Sequence, residues 1–153
     1  MKKVGLLIAL PILVLLIIIL NLSFSSDAPE NNATKVTVYK SPTCGCCVNY
    51  VALLEMEGYE VETIETDNMS NIKQQYGIAS EMESCHTAVF GDYVVEGHVP
   101  LELVAKLLKE KPDIRGIALP DMPAGSPGMP GQKRGPFQVY ALSDSGSYIY
   151  TEY

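Results

Sequence analysis

The sequence predicts an α/β fold in which helices flank a small mixed sheet, and three observations predict it. Short alternating, β-branched runs take turns with stretches of helical apolar spacing. Gly and Pro punctuate most junctions between them, and two apolar runs are split by the tight-turn pair Gly91-Asp92. With 153 residues, the chain has room for one domain of ordinary size once its terminal segments are set aside.

The first 24 residues are membrane-directed: Val4 to Leu20 form a 17-residue run without a charge. Lys2 and Lys3 precede the run and Asp27 and Glu30 follow it, so the positive-inside bias puts the remainder outside the cytoplasm. The segment reads either as a retained anchor or as a signal peptide. It is long for an h-region, and Ser23-Phe24-Ser25 is a weak cleavage site. Residues 25–34 are polar, contain Pro29, and read as a linker.

Val36 to Tyr39 alternates and reads as a strand ending at Ser41-Pro42. A helix then starts near Cys46, with Val48, Val51, Ala52, Leu54, Glu55 and Met56 on one face and Gly58 as terminator. Tyr59 to Thr66 is a second strand, and Ser70 is a candidate cap for a short helix through Tyr76. Ala79 to Ser84 reads as a loop, and Thr87–Phe90 with Tyr93–Glu96 as a hairpin. Leu101, Val104, Leu107 and Leu108 mark an amphipathic helix ending near Lys111-Pro112. Strand, helix, strand, helix, hairpin, helix is a thioredoxin-like order, assigned to residues 35–112. Residues 113–153 hold a Pro/Gly/Met arm, with Pro120, Pro123, Pro127, Pro130 and Pro136, and a terminal hairpin around Asp144-Ser145-Gly146. Both are expected to pack on the domain.

The formal net charge is −7, and becomes −9 if Lys2 and Lys3 leave with the leader. Nucleic acid is excluded as a partner by that sign and by the lack of a basic patch. Nor does any Ser-His-Asp set, carboxylate pair or phosphate-cradling Gly loop emerge from the spacing.

The chemistry lies in Cys44-Gly45-Cys46-Cys47 and Cys85, all beyond the leader. Three cysteines in four residues close almost no loop, so a purely structural disulfide framework fits poorly. Cys44 and Cys47 form a CxxC pair at a predicted helix N-terminus, where thiolate is favoured over thiol. That serves either disulfide exchange, with Cys44 attacking and Cys47 resolving, or ligation of a soft metal. The extra sulfur of Cys46 favours metal, and Cys85 precedes the strand that this fold brings beside the first helix. Copper(I) is the expected ion. Zinc ranks lower, because adjacent Cys46 and Cys47 fit two tetrahedral corners badly.

Completing donors are sought among the two histidines and the arm. His98, in Gly97-His98-Val99-Pro100, ranks slightly above His86 as a ligand. Met122 and Met129 lie where Pro and Gly exclude regular structure, and their thioethers suit copper(I) if the arm folds over the cysteines. Met56 reads as core, Met82 as a loop residue, and Tyr148, Tyr150 and Tyr153 as strand packing.

Four ordered motifs carry a family resemblance: Val38 to Cys47, Ser84 to Ala88, Val94 to Pro100, and Met122-Pro123 to Met129. Together they make the chain similar to a widespread family of small secreted bacterial proteins, long catalogued as a domain of unknown function, that includes the copper-resistance protein CopG. The resemblance implies a thioredoxin-like fold, an extracytoplasmic location, and copper handling by Cys44, Cys46, Cys47 and Cys85. It leaves copper or thiol redox turnover open. The leader, without a clear cleavage site, departs from the family pattern. The expected function is copper(I) binding in resistance or trafficking, with copper-handling proteins of the envelope as partners. The alternative is a thiol–disulfide oxidoreductase of glutaredoxin or thioredoxin type, and a non-enzymatic accessory subunit of a membrane assembly is a third reading.

Overall fold

The structure, a computed structural model, describes residues 34–153; the predicted leader and nearly all of the linker lie outside the described residues. Among the described residues no helix is long and apolar enough to cross a membrane.

Elements follow in the order β1 (Lys35–Lys40), α1 (Gly45–Met56), β2 (Glu60–Glu65), α2 (Met69–Gln75), a 3-10 turn (Ser80–Met82), β3 (His86–Phe90), β4 (Tyr93–Glu96), α3 (Leu101–Glu110), β5 (Gly116–Ala118), β6 (Gln138–Ser143) and β7 (Gly146–Glu152). The strands make one sheet in the order β2-β1-β3-β4-β5-β6-β7. β1 pairs parallel with β2 and antiparallel with β3, which completes the thioredoxin-like half through the β3–β4 hairpin. β5 then runs parallel to β4 and carries the antiparallel β6 and β7 outward. The terminal hairpin therefore extends the sheet edge-on.

Side chains alternate across the sheet and divide the core in two. On one face Val36, Val38, Tyr50, Leu54, Phe90, Val95, Val104, Leu107, Ile117 and Val139 form the main cluster, covered by α1 and α3. Val94, Ala118 and Leu142 pack with Ile78 and Met82 in a second cluster, reached from α2 and the 3-10 turn.

Several local expectations differ. β5 is too short and too small-residued to register as a strand in the sequence. The cap of α2 is Asn68, whose side chain accepts from the Asn71 N–H, rather than Ser70. Residues 79–84 contain the 3-10 turn, and its Met82 is buried, whereas Met56 is 81% exposed. The face predicted for α1 is also wrong. It buries Cys47, Tyr50 and Leu54 and leaves Val48 54% exposed. Apolar residues on all sides of α1 removed the signal that distinguishes faces. Of the C-terminal tyrosines, Tyr150 packs against the main cluster, but Tyr148 and Tyr153 are largely exposed.

Gly116 shows how tightly β5 is set: a Cβ there would run into the backbone carbonyl of Val94 on β4. Gly116→Ala is expected to cost about 1–3 kcal/mol through forced strand separation, read as a lowered urea midpoint. An unchanged midpoint would show that β4 and β5 have room for a side chain between them.

Candidate metal centre

The cysteine loop begins where β1 ends. Cys44 N–H donates to Ser41 O (3.1 Å), closing a turn that starts α1 at Gly45, with Cys44 in an extended cap conformation. Cys46 and Cys47 thus lie in the first helical turn. Cys44 and Cys47 are joined in a disulfide, and Cys46 and Cys85 are free thiols. Cys46 Sγ lies 3.5 Å from Cys44 Sγ and 3.9 Å from Cys85 Sγ, and Cys47 Sγ lies 3.7 Å from the Cys85 carbonyl. All four sulfurs fall within 4.8 Å of one another.

A second, deeper group shares two of these sulfurs. Cys47, Cys85, His86 and His98 also present their ligating atoms within 4.8 Å. His98 Nε2 is 2.9 Å from Cys85 Sγ, and His86 Nδ1 is 3.5 Å from it. His98 Nδ1 lies 2.6 Å from the Pro127 carbonyl. A carbonyl only accepts, so Nδ1 carries the proton and Nε2 turns its lone pair toward the Cys85 sulfur. This is the arrangement of metal-binding imidazoles, whose second nitrogen donates to a carbonyl or carboxylate.

Burial sets the protonation states. Cys85 is pushed up to about 12 by desolvation first, then by the neighbouring Cys46, so at neutral pH it is a thiol whose S–H faces Nε2. Desolvation lowers both histidines. For His86, the His98 and Lys73 charges add to the effect, and for His98 the Pro127 hydrogen bond partly opposes it. Both rings are neutral at pH 7. His86 Nε2 is buried and has no hydrogen-bond partner among the described residues. Tyr50, fully buried, packs its ring 4.6 Å from His86 and 5.4 Å from His98 and anchors its hydroxyl on Val99 O (2.8 Å).

The arm closes the site from the α1 side. Asn49 Nδ2 donates to Gly128 O (3.1 Å), and a Cβ at Gly128 would meet Tyr50 N at 2.9 Å and Cys46 O at 3.2 Å. With φ +79°, this position suits glycine twice over. Met129 follows immediately and lines a shallow cleft with Cys46, Asn49, Ala52, Leu53 and Pro130. Met122 is 40% exposed and has φ +44°.

The structure thus brings Cys44, Cys46, Cys47, Cys85 and His98 together and places Met129 in the cleft that Cys46 also lines, but it brings Met122, 40% exposed, into neither group. It also draws His86 into the second group, farther from Cys85 Sγ than His98. Sequence reasoning passed over Tyr50 and the buried Glu96, whose only signal was a carboxylate ending an apolar strand.

Two solved structures resemble this one: copper resistance protein CopG in Form 1 (38% identity, TM-score 0.73, covering 79% of this chain and 98% of that one) and in Form 2 (39%, 0.72, 78% and 97%). The chain belongs to the CopG-like family. A family model described as "Protein of unknown function, DUF411" matches residues 82–129, the stretch from the 3-10 turn through Cys85, His86 and His98 to Met129. None of the curated proteins matches the sequence. Copper-resistance relatives and a cysteine cluster able to hold metal together support a copper-related role.

The thiol assignment for Cys85 has a measurable consequence. In the protein with all four cysteines present and Cys44 and Cys47 left as the disulfide, the initial rate of iodoacetamide labelling of Cys85, followed on its own peptide by mass spectrometry apart from that of Cys46, is expected to climb about tenfold per pH unit from pH 7 to ~10 without levelling. The raised pKa leaves ever more thiolate to form above that range. A plateau near pH 8–9 would contradict the assignment.

Proposed function

We propose that this chain is an extracytoplasmic copper(I)-binding protein acting in copper resistance or trafficking. The observation that carries the proposal is the pairing of Cys85 Sγ with the lone-pair nitrogen of a neutral His98, beside three further sulfurs. Thiolate and imidazole are the donors that copper(I) prefers, and the set contains no hard carboxylate. The extracytoplasmic placement rests on the charge asymmetry around the apolar leader.

Loading requires chemistry that the chain's own residues define. The Cys44–Cys47 disulfide takes two electrons and two protons from a thiol reductant to become two thiols. Those thiols, with Cys46 and Cys85, release their protons as copper(I) cargo binds. His98 gives none, because its ligating nitrogen is already bare. Met129 lines the cleft that Cys46 also lines and is the arm's candidate thioether donor, whereas Met122, 40% exposed, stays a candidate only by its place on the same arm. Zinc remains the weaker candidate on the same donor set, and envelope proteins that deliver or receive copper are the expected partners.

One observation favours a second reading. A disulfide between Cys44 and Cys47 at the start of a helix is also what a thiol–disulfide oxidoreductase carries. Against it stand the third sulfur 3.5 Å from Cys44, which invites mispairing, and the absence of a proline at Ser84-Cys85-His86 before β3.

Titration with copper(I) against a competing chelator separates the two. Reduced protein is expected to bind tightly, the disulfide form at least about tenfold more weakly, and Cys46→Ser and Cys85→Ser likewise. Weak binding unchanged by either substitution would sink the copper reading. Rapid turnover of a model disulfide, lost in Cys44→Ser and kept in Cys46→Ser, would establish the alternative.

A further inference from the structure

Glu96 ends β4, is fully buried, and touches none of the cysteines or histidines of the site in any hydrogen bond. Its carboxylate nevertheless has three partners. Lys73 of α2, itself buried, pairs with Oε1. Ser84 N–H donates to Oε1 at 2.6 Å, and Thr87 Oγ1 donates to Oε2 at 2.6 Å. Ser84 and Thr87 are the residues on either side of Cys85-His86.

The same strand end continues into the other half of the contact. Gly97 N–H donates to His86 O (3.0 Å), and His98 follows with Nε2 2.9 Å from Cys85 Sγ. The β3–β4 ladder ends at the Thr87–Glu96 pair, and beyond it residues 84–86 and 97–98 are held together by the Glu96 carboxylate and the Gly97–His86 backbone bond, so the pair they clamp is Cys85 with His98. Neither the Cys44–Cys47 bond nor Cys46 takes part. Lys73 has a further bearing on the site, since its ammonium acts on His86 and is neutralised by Glu96.

We infer that Glu96 is a positioning residue for the metal site: through Ser84 and Thr87 it holds Cys85 against His98, so that this half of the site stays formed whatever the redox state of Cys44 and Cys47. The inference rests on the copper reading for its purpose but not for its geometry.

The test compares two double variants in the full-length protein. Lys73→Met/Glu96→Leu removes the ion pair together with every acceptor, and Lys73→Met/Glu96→Gln removes the charge but keeps a carbonyl oxygen for Ser84 N–H. Replacing both members avoids stranding a buried charge. In a Cys46→Ser background without copper, the Leu variant is expected to label Cys85 with iodoacetamide at least about tenfold faster than the parent, and the Gln variant at close to the parent rate. With Cys46 restored and the protein reduced, the Leu variant is expected to lose at least about tenfold in copper(I) affinity and the Gln variant to regain it.

Equal labelling in the folded Leu variant and its parent overturns the inference. If the Leu variant does not fold, Thr87→Val, which cuts one strut only, takes its place, and unchanged labelling there overturns the inference equally. If labelling follows the expectation but the parent protein takes up no copper(I), the copper reading fails and the positioning role stands.

Discussion

A carboxylate taken fully out of water is costly unless every lone pair facing the protein is met, and a lone buried ammonium is costly in the same way. Glu96 and Lys73 relieve each other, and Ser84 N–H and Thr87 Oγ1 supply what the ammonium does not reach. Burial lifts the Glu96 pKa while Lys73 and the two hydrogen-bond donors pull it back, so each partner offsets part of the cost of burying the charge. Removing one partner of such a buried pair typically costs about 3–5 kcal/mol. That dependence makes the group useful as a clamp. It joins α2, the approach to β3 and the end of β4, and these are the segments whose relative placement brings Cys85 beside His98.

Much of the remaining geometry follows from a sheet edge. β1 and β3 are antiparallel, with Lys40 opposite His86, so the C-terminal end of β1 and the start of β3 meet. The cysteine loop after Lys40 and the Cys85-His86 pair therefore arrive at one place from positions about forty residues apart. α1 adds its first turn, and Tyr50, one turn on, fills the space behind both imidazoles. A full-sized ring with its hydroxyl anchored leaves the histidines little freedom to turn away.

The order of the seven strands and α-helices from β1 to α3 was legible because each has a local cause, whereas the 3-10 turn between α2 and β3 read as a loop. Alternation marks β1 and β2, Gly91-Asp92 turns the β3–β4 hairpin, and the spacing of Leu101, Val104, Leu107 and Leu108 marks α3, which buries Val104 and Leu107 together with Leu103 and leaves Leu101 and Leu108 partly buried. β5 was not legible. Three residues, Gly116-Ile117-Ala118, become a strand only because β4 and β6 lie on either side to hydrogen-bond them. The face of α1 escaped for the opposite reason, since its apolar residues surround it and only tertiary packing chooses Cys47, Tyr50 and Leu54. At the site, the cysteines were legible from their spacing. Glu96 was not, because a glutamate at a strand end looks solvated until the fold buries it. His86 ranked below His98 because the sequence offered no way to see that the two imidazoles pack together with a nitrogen of each near the Cys85 sulfur.

The arm makes a different kind of contribution. Pro123, Pro127 and Pro130 remove backbone donors, yet the segment is internally bonded: Ser126 N–H and Oγ both donate to Pro123 O, Met129 N–H donates to Ser126 O, and Gly125 N–H donates to Pro130 O. A chain folded on itself in this way presents the carbonyl of Pro127 as a fixed point, and His98 Nδ1 uses it. The tautomer of His98, and with it the bare nitrogen beside Cys85, is thus decided by a proline-bounded turn 29 residues downstream. The close approach of Gly128 to the backbone of α1 ties that turn to the helix that carries Cys46 and Cys47. Donor placement on the imidazole side and on the thiol side accordingly shares one support. A change that lifts the arm would be felt in the protonation of His98 as well as in access to Cys46.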